Sequence, residues 1–180
     1  MMKKFCVFLV SVLFPVLVMA QDGSVSSDFL SRVADGSARM QYSWKMSADE
    51  KDYSGCGTVI FQKGAYRLQS DAFCVYDDGA SMWTVNEISR EVVGEPSANA
   101  DIFSNPLSVL NLFGFDSKGA RVSFRNGKDG NPLGIDVVLK DGSTVRIDIS
   151  SVSFQEKEDV EFFSFDPDSL DSSYVVTDLR

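Results

Sequence analysis

The chain has 180 residues, with 26 acidic against 17 basic side chains, three cysteines and no histidine. That length builds one domain with a sizeable core, and a content of 44% hydrophobic and 24% charged residues excludes wholesale disorder. Without histidine the commonest general base and metal ligand are gone, and a net charge of -9 opposes any nucleic-acid partner.

The first twenty residues read as a cleaved signal peptide, followed by one domain over 21–180. Lys3 and Lys4 form a short basic start, an apolar stretch runs from Phe5 to Val18, and Val18-Met19-Ala20 offers small residues before Gln21. The apolar run is shorter than the ~20 residues a membrane-spanning helix needs. Cleavage would remove Lys3 and Lys4 and no acid, leaving a net charge of -11. It would also remove Cys6 and leave Cys56 and Cys74. An oxidising compartment favours a disulfide. Two strands with a third between them, however, lie ~9 to 10 Å apart, too far for a bridge. A disulfide and two buried free thiols both stay open.

Ser26 or Ser27 caps a short predicted helix through Phe29, Leu30 and Val33, which Gly36 ends. Met40, Tyr42, Trp44 and Met46 then alternate with polar residues, the period of a half-buried strand. Gly55 to Gln62, Ala65 to Gln69, Phe73 to Tyr76, Ser81 to Val85 and Glu91 to Val93 extend a meander, with turns at Lys63-Gly64 and Asp77-Asp78-Gly79. No strand-helix-strand alternation appears, so the sheet is expected to be antiparallel. Asn105-Pro106 starts a helix whose Leu107, Val109, Leu110, Leu112 and Phe113 make it apolar nearly all round. Val122 and Phe124 begin a further run of strands. Ile135, Val137 and Leu139 follow, then an Asp141-Gly142 hairpin signal, then Val145, Ile147 and Ile149. Val152 and Phe154 fall on the opposite phase, which predicts a bulge or bend near Ser150-Ser151. Phe162-Phe163-Ser164-Phe165 reads as an apolar plug before an acidic tail.

Catalytic signatures are missing. There is no G-x-S-x-G elbow, no phosphate-cradling loop and no close Cys/His spacing for zinc. Asp166, Asp168 and Asp171 miss the calcium-loop pattern and read as a solvated tail. Asp77 and Asp78 sit in a turn, where aspartate serves the backbone. Neither catalysis nor a cofactor is expected. The remaining signal is apolar surface, which periodicity alone reads as core filling ahead of the lining of a cavity.

Several segments in one order resemble the periplasmic outer-membrane lipoprotein carriers, the LolA-like family. These are Tyr53-Ser54-Gly55-Cys56-Gly57-Thr58-Val59-Ile60-Phe61-Gln62-Lys63-Gly64, Ala65-Tyr66-Arg67-Leu68, Asp78-Gly79-Ala80-Ser81-Met82-Trp83 and Asn105-Pro106-Leu107-Ser108-Val109-Leu110. The ending Phe163-Ser164-Phe165-Asp166-Pro167 with Val175-Val176-Thr177-Asp178 completes the likeness, which covers most of 24–178. The resemblance implies a mainly β fold with a few helices (α+β): an incomplete antiparallel barrel, or strongly curved sheet, covered by short helices. It implies a non-catalytic monomer, soluble in the periplasm, that takes acyl chains into an apolar cavity. The cargo would be lipid-modified protein or free acyl lipid. An inner-membrane transporter would be the donor, and an outer-membrane receptor or membrane the acceptor. The expected cavity and lid residues are Met40, Tyr42, Trp44, Met46, Phe61, Leu68, Trp83, Leu107, Leu110 and Phe113. Lys63 and Arg67 match basic positions of the family and are expected at a partner or the lid. A sensor or adaptor of the same fold, detecting lipid or mislocalised lipoprotein, is the alternative, with a filled-core inhibitor or surface protein as a third class.

Overall fold

A computed structural model describes residues 26–48, 51–71, 73–97 and 119–180. The expected signal peptide and the expected helix with Leu107, Leu110 and Phe113 lie outside the described residues. One helix, α1 (Ser27–Asp35), precedes strands β1 (Ser37–Ala48), β2 (Lys51–Gln62), β3 (Ala65–Ser70), β4 (Phe73–Asp77), β5 (Ser81–Asn86) and β6 (Glu91–Pro96). After it come β7 (Arg121–Asn126), β8 (Pro132–Val138), β9 (Thr144–Gln155) and β10 (Val175–Asp178), with 3-10 turns at Val160–Phe163 and Pro167–Ser169. The strands form a single open, strongly curved sheet in the order β10-β6-β5-β4-β3-β2-β1-β9-β8-β7. Every pairing is antiparallel except the last added strand, β10 beside β6.

The period-two runs become the long strands because each alternation buries one face. The parity flip in β9 is a bulge: Tyr42 faces Ile149 while Gln41 faces Ser151, so Ser150 is the extra residue. Its hydroxyl donates to the Gln41 carbonyl at 3.3 Å. The bulge keeps Val145, Ile147, Val152 and Phe154 on one face along the whole strand, although their spacing in sequence changes phase.

Helix α1 begins where Ser26 accepts a hydrogen bond from the Phe29 N–H at 3.2 Å. The same hydroxyl donates to the Gly130 carbonyl at 2.6 Å, tying the helix to the β7–β8 turn. Gly36 follows the helix because a side chain there would strike the Gln155 backbone oxygen at 2.5 Å. Phe29 and Val33 are buried. The Phe29 ring packs 5.9 Å from Phe61 and 5.6 Å from Phe154, so α1 closes one end of the sheet's inner face.

Cys56 and Cys74 are free. They stand on β2 and β4 with β3 between, the spacing that forbids a bridge. Cys56 is exposed, which corrects the expectation of two buried thiols.

Candidate functional site

The inner face is built from cross-strand rows of apolar side chains. Nearest α1, Tyr66, Phe61, Ala38 and Phe154 stand in register across β3, β2, β1 and β9. The next row is Leu68, Val59, Met40 and Val152. Farther along, Trp44, Ile147, Ile135 and Phe124 align across β1, β9, β8 and β7, as do Met46, Val145, Val137 and Val122. These residues belong to one continuous cluster. Along β1 the shielding loosens away from α1: Ala38, Met40 and Tyr42 are buried, whereas Trp44 and Met46 are half-buried.

Two glycines let the aromatic side chains lie flat. Gly57 faces Tyr42 and Gly55 faces Trp44. A Cβ on Gly57 would sit 2.5 Å from the Tyr42 hydroxyl, and one on Gly55 would sit 2.7 Å from the indole nitrogen of Trp44. Sequence reading missed this pairing. Its signal is the Gly-x-Gly inside a strand that must lie opposite Tyr42-x-Trp44.

The Tyr42 hydroxyl is buried and has no hydrogen-bond partner among the described residues. Burial pushes its pKa well above the ordinary tyrosine value, and the nearby Cys56, Asp71 and Cys74 push it the same way. It is a neutral donor. Tyr66 is also buried, and its hydroxyl reaches the Met82 sulfur at 3.3 Å, a weak acceptor.

The structure gathers Met40, Tyr42, Trp44, Met46, Phe61 and Leu68 on this face. Trp83 is a correction. In β5 it packs on the opposite, outer face with Val85, Val92, Phe165 and Leu170. Gly94 faces it across β6, where a Cβ would come within 2.5 Å of its ring. The apolar plug is likewise an outer cover: Phe163 packs on Ile60 and Ala65, and the Phe165 ring lies 5.8 Å from Trp83.

Arg67 also points outward. Its guanidinium lies 4.7 Å from the Tyr76 ring centre and 5.1 Å from that of Phe162, so it clamps the C-terminal segment onto the sheet. Lys63 is an exposed turn residue. The Gln62 side chain pairs with the backbone of Glu158 in both directions, at 3.2 and 3.0 Å. Arg180 stacks over Trp83 at 4.5 Å.

Asp77, Asp78, Asp166 and Asp171, considered for chemistry, have structural partners. Asp77 is buried, accepts from the Gly79 N–H at 2.8 Å and from the Ser97 hydroxyl at 3.0 Å, and burial raises its pKa. Asp78 accepts from Ala80 and Ser81. Asp166 caps the Pro167–Ser169 turn, and Asp171 accepts from the Ser173 N–H. A groove of about 300 Å³ at the tips of β1, β2 and the β8–β9 hairpin is lined by polar residues such as Ser47, Asp52, Asp141 and Ser143, unlike the apolar inner face. Among the described residues no helix is long and apolar enough to cross a membrane.

No family model matches the chain, and no curated protein matches it. Its backbone is similar to that of an uncharacterized conserved protein from Thermus thermophilus, at TM-score 0.48 and 7% identity over 84% of this chain and 95% of that one. It is similar to a DUF1329 family protein from Desulfovibrio piger at TM-score 0.41 and 11% identity, over 76% and 93% of the two chains. A LolA superfamily protein from Nitrosomonas europaea is also among the solved structures this chain resembles, at TM-score 0.46 and 10% identity, with 79% of this chain and 99% of that one covered.

Proposed function

We propose that this protein is an exported, non-catalytic carrier that holds the acyl chains of lipid-modified proteins against its inner face and passes them toward the outer membrane. The observation that carries the reading is the inner face itself. Its apolar rows overlap on β1 and β9 to make one cluster from β3 to β7, and shielding falls off toward Trp44 and Met46. Each acyl methylene removed from water contributes about 0.8 kcal/mol, so several must be covered for useful affinity. A face of aliphatic, methionine and aromatic side chains supplies that without a specific polar lock, and methionine adapts to irregular chains. Binding must also be reversible, and contacts made by dispersion and water exclusion release their ligand to any acceptor that shields it better. Loading from an inner-membrane transporter and unloading to an outer-membrane receptor follow as differences in affinity. The acidic surface would steer the carrier toward basic partner surfaces.

The two tryptophans test this directly, because Trp44 is on the inner face and Trp83 on the outer. A monoacylglycerol with a brominated acyl chain is titrated into the Trp83→Phe and Trp44→Phe variants. Quenching of Trp44 with Trp83 unaffected is the expected result. Quenching of Trp83 alone, or of neither, overturns the carrier reading. Native mass spectrometry of protein taken from its own compartment should show a bound acylated species in stoichiometric amount.

A further inference from the structure

The inner face contains one feature that an acyl chain alone does not explain. Tyr42 is 94% shielded (6% exposed), and its hydroxyl has no hydrogen-bond partner among the described residues. A buried donor left unmade is costly, whereas phenylalanine would fill the same place without that cost. The hydroxyl lies over Gly57, where even a methyl group would collide with it. Trp44 and Met46, the half-buried residues of the same strand face, continue from Tyr42 toward the less shielded end. The donor therefore stands between the closed, hydrocarbon-like end under α1 and the looser end, and a ligand reaches it only by displacing the side chains that cover it.

We propose that the Tyr42 hydroxyl donates a hydrogen bond to the carbonyl oxygen of a neutral acyl ester or amide, and so selects acyl chains that carry that group over bare hydrocarbon and free fatty acid. The inference rests on the carrier reading and names the ligand class of that same face. The phenol remains protonated in its buried setting, so it offers a hydrogen and requires an acceptor. Taking a carboxylate out of water into this apolar setting is costly, whereas a neutral carbonyl gives up little hydration and is the matching group. In lipid-modified protein both the ester-linked and the amide-linked chains present such a carbonyl at the head of the hydrocarbon.

The test is displacement of a fluorescent apolar probe by three ligands of equal chain length: monopalmitoyl glycerol, its ether analogue 1-O-hexadecyl glycerol, and palmitate. Wild-type protein should bind the ester about fivefold to tenfold tighter than the ether, the contribution of one net hydrogen bond. Palmitate should be the weakest. Tyr42→Phe should bind ester and ether alike, with the ether affinity unchanged and the stability of the ligand-free protein equal or higher. In wild-type protein the infrared stretch of a carbon-13-labelled ester carbonyl should move to lower frequency on binding, a readout that packing alone would not produce. Equal loss of ester and ether in Tyr42→Phe, an unshifted carbonyl, or no ester preference in wild type overturns the inference and leaves the carrier standing. Failure of all three ligands to displace the probe from wild type overturns both.

Discussion

The outer face of the sheet is protected in two different ways. Over β2 to β6 it is apolar, with Ile60, Ala65, Trp83, Val85 and Val92 covered by Phe163, Phe165 and Leu170 of the C-terminal segment. Over β7 to β9 the outward residues are polar or charged for the most part, and charge pairs take the place of an apolar cover. Arg125 bridges Asp136 at 2.8 Å and Asp148 at 2.6 Å, and Arg146 lies 3.2 Å from Asp148. Gly134 makes room for this, since a side chain there would collide with the Arg125 guanidinium. One half excludes water and the other meets it. The difference shows that the C-terminal segment spends its aromatic residues on the outside, so the inner face is free of it.

The comparison predicts a hierarchy of effects. Phe163 is fully buried between the C-terminal segment and β2–β3, so Phe163→Ala should cost about 3 to 4 kcal/mol in urea unfolding. A loss under 1 kcal/mol would mean that the cover contributes little to the fold. Gly94→Ala pushes a methyl group into the Trp83 ring and should cost about 1 to 3 kcal/mol, with a shift in Trp83 emission that reports the disturbed cover. Arg125→Met should cost about 1 kcal/mol or less, because its partners are partly solvated, and the effect should shrink in high salt. A salt-independent loss as large as that of Phe163→Ala would erase the contrast between the two halves.

The smallest effect is in pH. The hydrogen bond from Arg125 holds the Asp148 carboxyl below the usual aspartate value. Its contribution is therefore present above a pH of about 4 and lost as the pH falls through the lowered folded value. Asp77 runs the other way: burial raises its pKa, so its ionisation opposes folding and that penalty disappears on acidification. Asp148→Asn should flatten the acid limb of the stability curve, and Asp77→Asn should steepen it. Stability measured from pH 3 to 7 in the two variants checks both signs.

Much of this was legible in residue order. A serine cap at Ser26 or Ser27, the meander, the Asp141-Gly142 hairpin and a bulge or bend near Ser150-Ser151 follow from local rules of capping, alternation and turn chemistry. Met40, Tyr42, Trp44 and Met46 share a face because a strand repeats every two residues. Trp83 was misplaced for a reason that the same rule contains. Alternation groups Trp83 with Val85 and Met82 with Thr84, but it does not say which group turns inward. In β5 that choice was made by Phe165 and Arg180, some eighty and more residues later in the chain, which cover Trp83 from the outer side. Sequence by itself determined the antiparallel strands, their turns and the parity of each side chain, because these depend on neighbours within a few residues. It did not determine β10, which the sequence reads as acidic tail and which pairs in parallel with β6. Tertiary structure alone decided which parity is inside, where the C-terminal segment lies and that the Tyr42 hydroxyl has no partner among the described residues, because each of these depends on contacts between segments far apart in the chain.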